Sequence, residues 1–274
     1  MVKGTAEIDP SSYERDGYCV ARGLFSPEET DLLRDHYMVL RKKSAYPGDS
    51  VGVDPEQDDP LKQYPRMIHM HRWDDVSLEW MIDDRIDAWL TKLIGAPPLA
   101  VQTMLYFKPP GSRGQALHQD QFYLKARPGT CVAAWMALDP CRIENGCMQV
   151  VPGTQDLTVL CTNSDADLAV SFSQTTVPLP DSMASVPVEM EPGDVLFFNG
   201  SVVHGSYQNM TADRFRRALI GHYISSDAVE VAKFYHPVLR MDGSEVSLEE
   251  SPGGGPCGVW VDQNGEPVVE LVTE

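Results

Sequence analysis

From Leu99 onward the chain changes texture, and this change constrains its fold more than any other feature. Up to that point the pattern is helical; beyond it, short apolar runs are separated by turn residues. The runs are Leu99–Lys108, His118–Leu124, Thr130–Leu138, Gln149–Pro152, Val186–Met190, Asp194–Asn199 and Phe215–Ser225. Helices followed by many closely spaced strands predict a mainly β fold with flanking α-helices, a sandwich or jelly roll buttressed on one side.

The helical part covers about residues 1–98. A short helix is expected from Tyr13 to the stop at Gly17, then an apolar run, Tyr18 to Phe25. Ser26-Pro27-Glu28-Glu29 has a serine N-cap, a proline at the first helical position and a glutamate at the third, which opens a helix. Lys42-Lys43 complement the dipole at its end. A second helix is expected over Ser77–Ile94, stopped by Gly95. Between them Ser44–Gln63 is rich in Pro, Gly and Asp, either a solvated loop or a lid over a pocket. His69 and His71 read as pocket lining or a polar pair, since no third ligand follows them. Thr154–Ser185 is a long polar insertion that could border a pocket. After Met241, residues 241–274 form an extension whose Asn264-Gly265 turns a hairpin at the edge of the same domain. The expectation is one domain, 1–274, with its β core over about 99–240.

Forty acidic against 22 basic residues give a net charge of -18, which disfavours nucleic acid and anionic membranes as partners. No apolar run approaches a membrane span, and no secretory or peroxisomal address is read at either end, so the expected location is cytoplasmic. The six cysteines lack C-x-x-C spacing and are expected to be reduced core thiols.

Chemistry concentrates at Gln115–Leu124. His118 and Asp120 are two apart, which on a strand puts both on one face. His204, in Ser-Val-Val-His-Gly-Ser, is the best downstream candidate for a third ligand. Two histidines and one carboxylate, with positions left open, suit non-haem Fe(II) oxygenases. Further on, Arg216, Ala218, Ile220 and His222 share a strand face and Arg217 points away. An arginine aimed into a β core needs an anion, and a co-substrate carboxylate bound by its planar guanidinium would be one.

At these residues the sequence resembles the phytanoyl-CoA dioxygenase family of Fe(II)/2-oxoglutarate oxygenases. The resemblance rests on Thr103-Met104-Leu105 with Lys108-Pro109-Pro110, Leu117-His118-Gln119-Asp120, Ala134-Trp135, Asn145-Gly146-Cys147, Val151-Pro152-Gly153-Thr154, Pro192-Gly193-Asp194, His204-Gly205-Ser206 and Phe215-Arg216-Arg217-Ala218, in family order. It implies a double-stranded β-helix (jelly roll, cupin-like) core with Fe(II) on His118, Asp120 and His204. It places the distal carboxylate of 2-oxoglutarate on Arg216 and Ser206, with Trp135, Met104 and Gln102 around the same molecule. Two features depart from the pattern. Gln155 replaces a histidine, and the arginine sits one position further from His204, which leaves Arg214 and Arg217 as alternatives. With O2, such an enzyme oxidises a C–H bond of a small-molecule metabolite. Asp120 fills the position where related halogenases have a small residue, so hydroxylation, desaturation or ring closure is expected.

The competing readings are an acyl-CoA hydroxylase, a cupin-like metalloprotein without 2-oxoglutarate, and a non-catalytic binding module. The module would be expected to have lost a ligand, and none is lost.

Overall fold

The computed structural model describes residues 8–42, 46–47, 49, 52–56 and 58–272. Its main layer is an eight-stranded antiparallel sheet. The strands run in the order β1 (Tyr18–Ala21), β8 (Val195–Asn199), β5 (Val132–Ala137), β10 (Ala218–Ser225), β3 (Pro98–Tyr106), β12 (Val238–Arg240) and β13 (Glu245–Val246), with β2 (Met67–Ile68) also pairing β3. A four-stranded sheet faces it, in the order β4 (Gln115–His118), β9 (His204–Ser206), β6 (Met148–Val150) and β7 (Val186–Val188). The mainly β class and the jelly-roll core expected from the strand spacing are both present.

Every residue of β5 is buried because the large sheet is covered on both faces. Ala133, Trp135 and Ala137 pack with Leu196, Phe198 and Ile220 against Met148, Val150 and Val188 of the small sheet. The alternate residues, Ala134 and Met136, join Val195, Phe197 and Leu219 under the helices, against Tyr37, Trp80, Met81, Ile86 and Leu90. Each fully buried large side chain contributes roughly 1.5–3 kcal/mol, so this two-sided packing holds the central strands as a rigid floor.

The helices are α1 (Ser11–Asp16), α2 (Pro27–Lys42), α3 (Pro60–Gln63), α4 (Asp75–Met81), α5 (Asp84–Ile94) and α6 (Gln121–Leu124). The capping box of α2 forms as expected: Ser26 Oγ accepts from Glu29 N–H at 3.2 Å and Glu29 Oε2 from Ser26 N–H at 2.7 Å. Lys43 lies outside the described residues, as do Ser44, Ala45, Gly48, Ser50, Val51 and Gln57 of the expected loop.

The single helix expected over Ser77–Ile94 is two. Asp83 leaves helical geometry and its carboxylate accepts from Arg85 N–H, so it caps α5 and restarts the chain in a new direction. The hairpin after Met241 forms. Strands β15 (Cys257–Gln263) and β16 (Glu266–Val272) do turn at Asn264-Gly265, both at positive φ, but they form their own two-stranded sheet. Trp260 and Val269 pack on Val151, Leu160, Val177 and Val203. A separate two-stranded sheet pairs β11 (Glu230–Val231) in parallel with β14 (Glu249–Glu250).

The cysteines are not all reduced: Cys161 and Cys257 form a disulfide that ties the Thr154–Ser185 insertion to this hairpin. Their spacing of 96 residues left no sequence sign of the pairing. Cys19, Cys131, Cys141 and Cys147 are buried free thiols, as expected, and burial pushes Cys19 and Cys141 up to about 12. No described helix is long and apolar enough to cross a membrane.

Candidate active site

A cavity of about 880 Å³ opens between the two sheets. His118 reaches it from the end of β4 and His204 from the start of β9, cross-strand partners in the small sheet. Gly205 allows the two strands to come this close, since a Cβ there would sit 2.6 Å from the Gln115 carbonyl oxygen.

The strand expected over His118–Leu124 does not form. β4 ends at His118, Asp120 has helical dihedrals (φ -66°, ψ -31°), and Gln121–Leu124 is a helical turn. The two ligand candidates therefore converge across a strand-to-helix turn, not along a strand face. Even so, the ligand atoms of His118, Asp120 and His204 all lie within 4.8 Å of one another.

The donor chemistry fits a metal. His118 Nδ1 lies 2.9 Å from the Ala116 carbonyl oxygen and His204 Nδ1 2.9 Å from that of Val202. A carbonyl only accepts, so both Nδ1 atoms carry the proton and both Nε2 lone pairs point into the cavity. Gln115 Nε2 stands 3.1 Å from His118 Nε2, consistent with that lone pair. Burial alone would raise the Asp120 carboxyl, but the surrounding imidazoles of His204, His118 and His222 hold it well below the usual carboxylate range. Burial, with His118 alongside, lowers His204 to about 4, so it is neutral at physiological pH. Two neutral imidazoles and a carboxylate are what a divalent ion requires.

At the other side of the cavity Arg216 is 2% exposed. Its Nε donates to the Gly146 carbonyl at 2.9 Å, its guanidinium lies 5.0 Å from the Trp135 ring, and Nη1 has no partner. No carboxylate of the described residues forms an ion pair with it. The alternatives are spoken for: Arg214 pairs with Glu144, and Arg217 makes a two-pronged pair with Asp139 at 2.7 Å. Arg216 precedes β10, which starts at Ala218, but the expected opposition of Arg216 and Arg217 holds. Ser206, Trp135, Met104 and Gln102 line the same cavity. Gln155, in place of the family's histidine, donates to the carbonyls of Glu14 and Arg15 at the end of α1.

Three groups of the cavity were not in the sequence-derived site. Lys108 is fully enclosed and donates to Ser206 Oγ at 2.9 Å and to the Tyr207 carbonyl; burial and the nearby Arg216 lower its pKa well below the usual range. Ser206 Oγ also accepts from Gln115 N–H at 3.2 Å, so its own proton is free to donate into the cavity. His222 lies beside Asp120. The rim carries Arg66, Arg113, Tyr123, Phe172, Phe234 and Tyr235. In the sequence Lys108 stood only in the Lys108-Pro109-Pro110 run of the family resemblance, with no role attached, and the rim residues come from five separate segments.

His69 and His71 lie outside this group. His71 Nδ1 pairs with Thr103 Oγ1 at 2.9 Å, and neither nitrogen of His69 has a partner among the described residues. Burial lowers His69 to about 3 and His71 to about 4. Because the unfolded chain takes up these protons near pH 6.5 and the folded one does not, stability should fall as pH drops below 6.5. By pH 5 the loss should be on the order of 2 kcal/mol for each histidine. His69→Asn, which tolerates the left-handed backbone there (φ 55°), should flatten thermal-melt midpoints between pH 7 and 5 relative to wild type. Parallel pH profiles for the two proteins would show that His69 does not titrate this way.

Three such donors on one side would leave a metal half open, and the bare guanidinium in the same cavity would suit a dicarboxylate. Those are the requirements of an Fe(II)/2-oxoglutarate-dependent dioxygenase, and the protein is of that class, using Fe(II), 2-oxoglutarate and O2.

The family model for phytanoyl-CoA dioxygenase (PhyH) matches residues 13–218, and the chain belongs to that family. It is 30% identical over 233 residues to a probable phytanoyl-CoA dioxygenase of Caenorhabditis elegans, covering 78% of this chain and 74% of the other. It is 26% identical over 225 residues to phytanoyl-CoA dioxygenase of Arabidopsis thaliana, covering 78% and 77%. Among solved structures, apo EctD from S. alaskensis superposes with a TM-score of 0.68 at 19% identity, over 90% of this chain and 88% of that one. The non-heme alpha ketoglutarate dependent epimerase SnoN from nogalamycin biosynthesis gives 0.63 at 20%, over 96% and 94%. At these identities the structures speak to the fold alone.

Proposed function

We propose that the chain acts as a single oxygenase domain that hydroxylates an unactivated C–H bond of a small-molecule metabolite not carried on coenzyme A. One observation carries the site assignment: a buried arginine without a carboxylate partner opens on the same cavity as the His118, Asp120 and His204 cluster. We assign those three as the Fe(II) ligands and Arg216, with Ser206, as the seat of the distal carboxylate of 2-oxoglutarate. Trp135, Met104 and Gln102 pack around the co-substrate.

When bound, the iron couples O2 and 2-oxoglutarate to C–H oxidation, giving succinate, CO2 and the alcohol. The protein's share is positional. The Trp135 ring, 5.0 Å from the guanidinium carbon, supports it by a cation–π contact and leaves Nη1 to meet the incoming carboxylate. Lys108 and the Gln115 N–H occupy the Ser206 oxygen, which turns the hydroxyl proton toward the same carboxylate. Tyr123, Phe172, Phe234 and Tyr235 screen the centre from bulk water and shape the substrate space.

The cavity volume suits a metabolite of drug size together with the co-substrate. The net charge of -18 disfavours capture of a ligand bearing several phosphates. At the rim, Arg113 is already tied to Asp59 at 2.6 Å. The EctD and SnoN structures show that this fold also serves proteins whose described ligands are 5-hydroxyectoine and a nogalamycin compound. An acyl-CoA substrate is the second reading, favoured by the names of the curated relatives and by Arg66 at the rim. Incubation with a panel of free metabolites, acyl-CoA thioesters and the matching free acids decides between them, with succinate and oxidised product measured together. Coupled turnover of free compounds is expected. Efficient oxidation of a thioester but not its free acid would establish the second reading.

A further inference from the structure

Asp120 has two carboxylate oxygens, and they face different partners. Oδ1 lies 3.5 Å from His118 Nε2 and 3.6 Å from His204 Nε2, among the proposed ligand atoms. Oδ2 lies 3.1 Å from Nε2 of His222. An ionised carboxylate only accepts, so His222 carries its proton on Nε2 and donates it to Oδ2.

His222 belongs to the other sheet. It sits on β10, is 5% exposed, and lines the cavity. The ladder between β10 and β3 shifts at this residue: His222 is opposite Gln102 and Tyr223 opposite Ala100, leaving Val101 unpaired. Bulges of this kind re-aim side chains beside active sites. Here the shift directs an imidazole across the cavity onto a residue 102 positions away in sequence. The position also falls just beyond the 13–218 span that the family model matches.

We infer that His222 is a positioning residue for the metal centre. Its Nε2–H holds Oδ2 of Asp120 and fixes the orientation of the carboxylate, so that Oδ1 stays turned toward His118 and His204. His118 and His204 are held by backbone carbonyls through Nδ1, so His222 completes the outer support for all three proposed ligands. The inference rests on the assignment of His118, Asp120 and His204 as ligands.

The test is anaerobic titration of the full-length, metal-free protein with Fe(II) alone, on wild type, His222→Phe, His222→Gln and His118→Ala. His222→Phe keeps a planar ring and removes the donor; His222→Gln returns an N–H. Loss of an outer-shell partner weakens metal binding by roughly 10–100-fold, and that loss is expected for His222→Phe, with recovery of most of it in His222→Gln. Apo melting temperatures, measured in parallel, separate a folding defect from a metal-site defect. Should the phenylalanine variant not fold, His222→Leu takes its place in the same comparison. A folded donor-less variant with wild-type Fe(II) affinity overturns the inference, as does a loss that glutamine does not reverse. If His118→Ala also binds Fe(II) like wild type, the ligand assignment has failed instead.

Discussion

Asp120→Ala should abolish conversion of 2-oxoglutarate to succinate, with a loss well beyond the roughly 10–100-fold that removal of an outer-shell partner costs. The carboxylate of Asp120 is the one acidic side chain in the proposed set, beside the imidazoles of His118 and His204. Without it the centre holds a divalent ion by two neutral nitrogens, too few to fix its geometry against water. The substitution also leaves the buried Nε2–H of His222 without an acceptor, so part of the effect reaches folding stability. Metal content after dialysis and succinate yield, measured on the same folded sample, separate the two effects. Retention of both at wild-type level would remove Asp120 from the site.

Arg216→Gln should raise KM for 2-oxoglutarate by roughly two orders of magnitude, since losing a charge-assisted pair to a buried carboxylate costs about 2–5 kcal/mol. The apo protein should respond differently. Arg216 is buried without an anion, and burial lowers its pKa, so its charge is a cost to the protein until the co-substrate arrives. The glutamine variant should therefore melt no lower than wild type in the absence of 2-oxoglutarate, while losing the stabilisation that 2-oxoglutarate gives. Arg217→Gln should show the reverse. It breaks the Asp139 pair and lowers the melting temperature, leaving KM for 2-oxoglutarate near wild type. Steady-state kinetics and melts with and without 2-oxoglutarate check all four values. An unchanged KM in Arg216→Gln would mean that the distal carboxylate sits elsewhere.

The β core was legible because strands buried on both faces must be apolar along their whole length, and Val132–Ala137 and Val195–Phe198 are. Short motifs carried the site: His118, Asp120, His204 and Arg216 each stand in a run whose residue types converge on one chemistry. What escaped depends on contacts that sequence distance hides. The Asp120–His222 pair spans 102 residues and a sheet-to-sheet gap, and its geometry needs a bulge that no residue type announces. The helix break at Asp83 was available in principle, as an Asp cap inside a helical pattern. The strong apolar periodicity on either side concealed it. The Cys161–Cys257 bridge joins an insertion to a tail, two segments without a shared period. Asp120 also shows that the expected grouping of side chains can arise from a different local geometry: the i, i+2 spacing serves a turn as well as a strand.

The most direct test of the central claim is anaerobic addition of Fe(II), and then 2-oxoglutarate, to the purified metal-free protein, followed by absorption spectroscopy. Chelation of 2-oxoglutarate to Fe(II) held by His118, Asp120 and His204 should produce a visible metal-to-ligand charge-transfer band that saturates at one equivalent of each. The band should be absent in Asp120→Ala and should require far more 2-oxoglutarate in Arg216→Gln. A wild-type protein that binds Fe(II) but gives no such band at saturating 2-oxoglutarate would contradict the account.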